Sequence, residues 1–356
     1  MSPHRAFRQV AFGIALLSAA LASNAFAGRN DLKLVNLCPQ AYAPTLGVQE
    51  CSWVQRDATG LVTGVNIDSE GRSNFRSLMS ELGVVMAPRI PLPAGTLGFA
   101  GFQVSGELGV TEISNNMSFW NGVNAVSPQN PGAARPSSTL TTMGVFLRKG
   151  IWLPAPSLEL GGGVVNLLDS QLLSWQAYAK LALHEGFHDL PIPSLSVRGA
   201  FAYVTGTDQV SLNISSVDVL ISKGFGVLKT ARLEPFGGWS LIMIRAAGKT
   251  IDFTPLCDAQ VAAMATPGQK VSDYCAVASS QSDTTNDFKA NKGFPSQDVI
   301  TRYRVFGGAK LKFGLLDIIA QYELYLAGDS RDDSVVAAVD HSARQSAFSL
   351  SLGLEF

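Results

Sequence analysis

The stretch from Ser346 to Phe356 reads SAFSLSLGLEF, with Phe348, Leu350, Leu352, Leu354 and Phe356 alternating with Ser349, Ser351, Gly353 and Glu355. A period of two places the apolar set on one face of an extended strand and the small or polar set on the other. The alternation recurs upstream. Met143, Val145, Leu147 and Ile151 share one face, and Trp175, Ala177, Ala179, Leu181 and Leu183 share another, opposite Gln176, Lys180 and His184. Val217, Val219 and Ile221 oppose Asp218, while Trp239, Leu241 and Met243 oppose Glu234 and Ser240. The pattern predicts twelve strands, at residues 60–67, 78–88, 96–110, 139–152, 157–167, 174–184, 194–205, 210–224, 232–246, 301–313, 315–327 and 346–356.

One hairpin is specified residue by residue. A two-residue turn at Gly314-Leu315, with Gly first, is the type II′ choice. It pairs Phe313 with Leu316, Leu311 with Ile318, Ala309 with Ala320, Gly307 with Tyr322, Val305 with Leu324 and Tyr303 with Leu326. All these pairs are apolar or aromatic. The opposite face pairs Lys312 with Asp317 and sets Glu323 diagonal to Arg304. A slip of one residue would mix the two faces, so the pattern selects this register.

The junctions alternate between short and long. Short ones at residues 90–95, 153–157 and 190–194 are rich in Pro, which presets turns and cannot continue a central strand; those at 225–231 and 314–315 complete the set. Longer, more polar ones fall at 111–138, 247–300 and 328–345, the last carrying Asp329, Arg331, Asp332, Asp333 and Asp340.

Composition narrows the class. Charged residues make up 15% of the chain, against about 25% in soluble domains, and mean hydropathy is +0.18. Arg5 and Arg8, an apolar run at residues 10–21 and Ala25-Phe26-Ala27 form an export signal with its cleavage site at residues 1–27. Its removal from 356 residues leaves 329. In that remainder no run reaches the roughly 18 apolar residues of a spanning helix. An apolar, charge-poor, exported chain without such a helix enters a membrane only as a closed barrel.

The terminal alternating strand, the final Phe356, the turn asymmetry and the export signal together resemble bacterial outer-membrane β-barrels. The resemblance covers the whole exported chain as architecture only. It implies an all-β, antiparallel up-and-down barrel of about twelve strands, with short periplasmic turns, long extracellular loops, and both chain ends in the periplasm. It also implies outer-membrane lipid as the surroundings and recognition of the strand ending at Phe356 by the barrel-insertion machinery. Trp152, Trp175, Trp239, Tyr303, Tyr325 and Phe356 fall near strand ends, where aromatic girdles belong. Residues 28–59 precede the barrel, which is expected over residues 60–356, and form a periplasmic cap or a plug. The four Cys allow three pairings, and export favours oxidation. Cys38–Cys51 and Cys257–Cys275, each closing a short loop in a non-strand segment, is the chosen one.

Candidate chemistry changes this picture little. His184-Glu185-Gly186-Phe187-His188 matches the zinc-protease pattern H-E-x-x-H, which needs both His on one helix face. Here the preceding residues alternate with period two, Pro191 and Pro193 follow, and no third ligand is placed, so the match is read as chance. No metal, cofactor or nucleic-acid site is expected. A barrel-embedded hydrolase, as in the twelve-stranded outer-membrane phospholipase, would need a Ser beside one of His184, His188 or His341, and no nucleophile motif stands there.

The functional candidates are the charges whose phase points inward. These are Glu107, Arg148, Glu159, Lys180, Arg198, Asp218, Glu234, Arg302, Arg304, Lys310, Lys312, Asp317, Glu323 and Glu355. They line either a pore selecting small solutes or, as mutually compensating pairs, a filled barrel that acts through its loops. A passive pore for small solutes is the leading expectation.

Overall fold

The computed structural model describes residues 28–43, 48–56, 62–89, 92–125, 135–151, 157–185, 192–227, 230–253, 289–291, 293–328 and 338–356. Before the barrel come two small hairpins, β1 (Gln40–Ala43) with β2 (Val48–Cys51) and β3 (Val54–Arg56) with β4 (Val62–Val65), and one helix, α1 (Ser69–Val85). The barrel strands are β5 (Phe102–Glu112), β6 (Thr139–Ile151), β7 (Leu158–Leu167), β8 (Leu173–His184), β9 (Ser194–Thr205) and β10 (Val210–Ser222). After the short β11 (Phe225–Val227) follow β12 (Ala231–Gly248), a loop hairpin of β13 (Thr250–Asp252) and β14 (Lys289–Asn291), then β15 (Ile300–Phe313), β16 (Leu316–Tyr325) and β17 (Gln345–Glu355).

Every barrel strand pairs antiparallel with its neighbours. The sheet closes at β17–β5, where Leu350 faces Leu108, and continues through β10–β12, where Ser215 faces Met243. Among the described residues ten strands make the barrel, not twelve. β11 pairs outside it with the end of β12. It keeps β10's register there, Phe225 facing Leu233 just as Ser222 faces Phe236. β10 is thus one strand interrupted at Lys223-Gly224, and its hairpin projects past the barrel.

The two strands expected first are not barrel staves. Residues 62–65 lie in the separate β3–β4 hairpin, and residues 78–85 are helical, so the barrel begins at Phe102 rather than at residue 60. The helix obeys its own sequence. Asp68 caps it by accepting from Gly71 N at 2.7 Å. Phe75, Leu78, Met79 and Leu82 then recur at helical spacing, and all are buried.

α1 stands inside the barrel. Its first turns meet the long-loop end, with Arg76 donating to the Asp298 carbonyl at 3.2 Å, and its end reaches β8, where Ser174 donates to the Met86 carbonyl at 3.0 Å. The chain then descends. Arg89 N donates to Gln176 at 2.9 Å, Lys180 donates to the Pro93 carbonyl at 3.2 Å, and Gly150 N donates to the Gly101 carbonyl at 3.0 Å. At the short-turn end Phe102 and Phe356 exchange backbone hydrogen bonds of 3.0 and 2.8 Å. Residues 92–95, expected as a periplasmic turn, therefore lie within the lumen, with Ala94 fully buried.

The residues ahead of the helix form a cap at the long-loop end. Leu32 bridges to Val123, and Leu34 N donates to Gln209 at 2.7 Å. A disulfide joins Cys38 to Cys51 across a separation of 13 residues; Cys257 and Cys275 lie outside the described residues. The barrel's own two ends meet at the short-turn end as expected. The chain reaches that end from the opposite mouth, where residues 28–37 lie.

The β15–β16 register is the one the sequence specifies, down to Leu326 N donating to the Tyr303 carbonyl at 2.9 Å. Gly314 takes φ +57° while Leu315 has no positive φ, as a type II′ turn requires. Along β16 and β17, Leu316, Tyr322, Phe348, Leu350, Leu352 and Leu354 are exposed, and Asp317, Gln321, Glu323, Ser349 and Ser351 are buried. Trp239 and Tyr303 stack on the outer face with ring centroids 5.9 Å apart. Tyr325 does not join an outer girdle. Its phase is that of Asp317 and Glu323, and its ring is wholly buried in the lumen. Trp152 lies outside the described residues.

An apolar exterior of this extent is stable only against lipid. Leu350→Arg, near the middle of β17, is expected to cost about 2–4 kcal/mol. Urea titration followed by the heat-dependent shift in gel mobility measures it, and a loss below about 0.5 kcal/mol would contradict a lipid-facing Leu350.

Candidate functional site in the barrel lumen

The inward phase of each strand delivers its charges to one interior. At mid-barrel Arg304 of β15 is the hub. Its guanidinium lies 3.2 Å from Asp218 of β10 and 3.3 Å from Glu323 of β16, and donates to Ser240 of β12 at 3.2 Å. It also donates to the Pro88 carbonyl of the lumen segment at 3.2 Å. Arg198 of β9 pairs with Asp218 at 2.7 Å, donates to the Arg89 carbonyl at 2.5 Å, and lies 5.2 Å over the Tyr178 ring. Arg89, from the lumen segment itself, faces Glu107 of β5 at 3.5 Å and donates to Thr142 at 2.6 Å. Tyr325 donates its hydroxyl to Glu323.

Nearer the short-turn end Glu159 of β7 gathers Lys180 at 3.2 Å, Arg148 at 3.7 Å, the Tyr178 hydroxyl at 2.9 Å and Leu97 N at 3.1 Å. Lys180 also donates to the Gly95 carbonyl at 2.8 Å. Lys310 and Lys312 both pair with Glu355, the latter at 2.7 Å, and Lys310 lies 3.8 Å from Asp317. Asp317 accepts from Gln103, which in turn accepts from Arg148. Glu234 accepts from Ser222 at 2.8 Å, and Ser222 accepts from Ala94 N at 3.0 Å.

At the long-loop end Arg302 donates to Ser80 of the helix at 2.9 Å, to Ser342 at 2.7 Å, and to the carbonyls of Leu326 and Ala343 at 2.9 Å each. Glu81 of the helix accepts from Trp120 Nε1 at 2.7 Å, Ser114 N at 3.0 Å and Ala343 N at 3.3 Å. Ser73 and Ser77 accept from the backbone of Val339 and His341, at 3.0 and 2.8 Å. One face of the helix thus holds two long loops from beneath.

The inward charges therefore sit in three tiers, tied to one another and to the segment that crosses the lumen. Sequence reasoning missed the partners supplied by that segment, namely Arg89 and the carbonyls of Pro88, Arg89, Pro93 and Gly95. It also missed Arg76, in a stretch assigned to no strand, and Glu81, within residues 78–88 expected as strand. The legible signal was the helical spacing of Phe75, Leu78, Met79 and Leu82 after Asp68.

The H-E-x-x-H stretch is not a helix where it is described. β8 stays extended through His184, and Glu185 accepts from Thr96 N at 2.9 Å and Ser157 at 3.3 Å. His188 lies outside the described residues. Among those described, no group of three His, Cys, Asp or Glu side chains is arranged to hold a metal ion.

A closed antiparallel sheet, apolar outside and charged inside, is the architecture of a β-barrel of the bacterial outer membrane. No family model matches the chain, and no curated protein does. Among solved structures it is similar to the outer membrane enzyme PagL, at 9% identity over 71% of this chain and 98% of that one, with a TM-score of 0.27. It is also similar to LpxR from Salmonella typhimurium, at 10% identity over 70% and 99% of the two chains, with a TM-score of 0.31. A third is Ail of Yersinia pestis, at 10% identity over 72% and 99%, with a TM-score of 0.24. At these scores the likenesses carry no argument, and the class rests on the chain's own closed sheet and its two faces.

Removing one partner of a buried ion pair costs about 3–5 kcal/mol because the other charge is left uncompensated. Arg304→Met is expected to destabilise by that amount, read as a lower urea midpoint in the heat-modifiability assay. A midpoint unchanged within error would remove Arg304 from the centre of the network.

Proposed function

We propose that this protein is a sealed barrel that acts through its external loop face rather than by passing solutes through its lumen. The observation that carries the reading is the helix Ser69–Val85 and the segment below it, standing where a solute would pass. Helix residues Phe75, Leu78, Ser80 and Glu81 are wholly or almost wholly buried. A ten-stranded barrel is only slightly wider than the eight-stranded kind that side chains alone can fill. A helix about 10 Å across occupies that width. The inward charges are engaged in pairs across the barrel and with the lumen segment, which supports a structural use for them in place of ion selection.

The same helix supports the second half of the reading. Glu81, Ser77 and Ser73 hold the loops after β5 and before β17 by their backbone groups. In a barrel of this class long loops face the exterior. The device gives those loops a fixed shape for contact with partners outside the cell.

Purified folded protein in a planar bilayer is expected to show no conductance steps. Regular steps of constant size from the intact chain would overturn the sealed reading and favour the pore. Glu81→Ala leaves Trp120 Nε1 and two backbone N–H groups without their acceptor, each worth roughly 1–3 kcal/mol when buried. Limited proteolysis of folded protein should then cut at residues 113–125 and 338–344 faster than in the wild type, with heat-modifiable mobility retained.

A further inference from the structure

The sequence places the export cleavage between Ala27 and Gly28. Gly28 is also closely fitted against a barrel loop. Its N donates to Asp31 Oδ2 at 2.6 Å, and its carbonyl accepts from Asp31 N at 3.2 Å and from Asn124 Nδ2 at 3.2 Å. The other oxygen of Asp31 accepts from Gln171 N at 2.7 Å, in the loop between β7 and β8. The carbonyl of Asp169 in that loop accepts from Asn30 N at 3.0 Å. A Cβ at position 28 would run into the backbone of Asp169 and Ser170, coming within 2.9 Å of Ser170 Cα. Only glycine fits against that loop without displacing it.

We propose that cleavage after Ala27 creates an anchored amino terminus, with the α-ammonium of Gly28 ion-paired to Asp31 at the outer rim of the barrel. The peptide bond is hydrolysed by water under an exported-protein peptidase. The hydroxyl goes to the Ala27 carbonyl, giving a carboxylate, and Gly28 N leaves protonated. The nitrogen that donates to Asp31 as an amide becomes a cation at the same distance from a carboxylate, a charge-assisted bond about twice as strong. Asp31 is already held by Gln171 N, so the pairing needs little rearrangement. It fastens the cap, and with it the top of the helix, to a barrel loop.

Position follows from the path of the chain. The cap packs on the loops after β5, after β7 and after β9, all at the end opposite Phe356. With the strand ending at Phe356 at the periplasmic mouth, the anchored amino terminus faces the exterior. The proposal shares this sidedness with the proposed function and is independent of whether the lumen conducts.

The test labels intact cells at neutral pH with a membrane-impermeant amine-reactive biotin, then identifies the terminal peptide of the purified protein by mass spectrometry. The expected result is a chain beginning at Gly28, labelled at its α-amine without disruption of the outer membrane. In Asp31→Asn the amine should react about 1.5-fold to fivefold faster, the range of an exposed ion pair. A chain beginning elsewhere, label appearing only after the outer membrane is broken, or equal rates in Asp31→Asn and wild type would each overturn the proposal. The first two readouts use the wild-type protein and hold even if the variant does not fold.

Discussion

A polypeptide that crosses the inside of a barrel brings its backbone with it, and every buried N–H and C=O then needs a partner. The segment after the helix is too irregular to satisfy itself. The wall does so instead, with Arg304 reaching the Pro88 carbonyl, Arg198 that of Arg89, and Lys180 those of Pro93 and Gly95. Each of these cations is itself buried and needs counter-charge. Asp218, Glu323 and Glu159 supply it from other strands. The charged middle of the lumen thus follows from threading the chain through it, while Lys310, Lys312, Asp317 and Glu355 pair within the wall.

The arrangement also explains why acidic and basic residues occur together on facing strands. Asp218 stands between Arg198 and Arg304, and Glu355 between Lys310 and Lys312. Burying a lone charge is expensive, and compensation within each tier is what makes the interior tolerable.

Much of this was legible in the chain where one physical rule acts alone. The β15–β16 pairing followed from a single turn and a single alternation, because one face had to meet lipid. The inward phase of Arg304, Asp317 and Glu323 came from the same rule. The helix was misread because Gly83, Val84, Val85 and Met86 form an apolar run, and because its polar residues Arg76, Ser80 and Glu81 are as buried as its apolar ones. A helix enclosed on all sides, its apolar residues in one buried cluster with Ile214, Ile242 and Ile244 of the wall and its polar ones bonded to loops and Arg302, carries no simple amphipathic stripe, so the cap at Asp68 and the spacing of Phe75 to Leu82 are its clearest marks. Tyr325 was assigned by its nearness to a strand end, although its phase already placed it beside Glu323. The contacts of Arg89 were out of reach, since they depend on where residues 86–101 run.

The threaded path has a topological consequence. On one side of the lumen segment stands the cap, made bulky and permanent by the Cys38–Cys51 crosslink; on the other the chain continues directly into the wall. The segment resembles an axle inside a ring to which it is also joined. While β5 and β17 remain paired it has no route out except by unravelling the cap and drawing it through a ten-stranded opening. β17, which closes the wall against β5, must therefore pair around a segment that precedes both strands in the chain. Once it has done so, the plug is retained by the connectivity of the molecule as well as by the strength of its contacts.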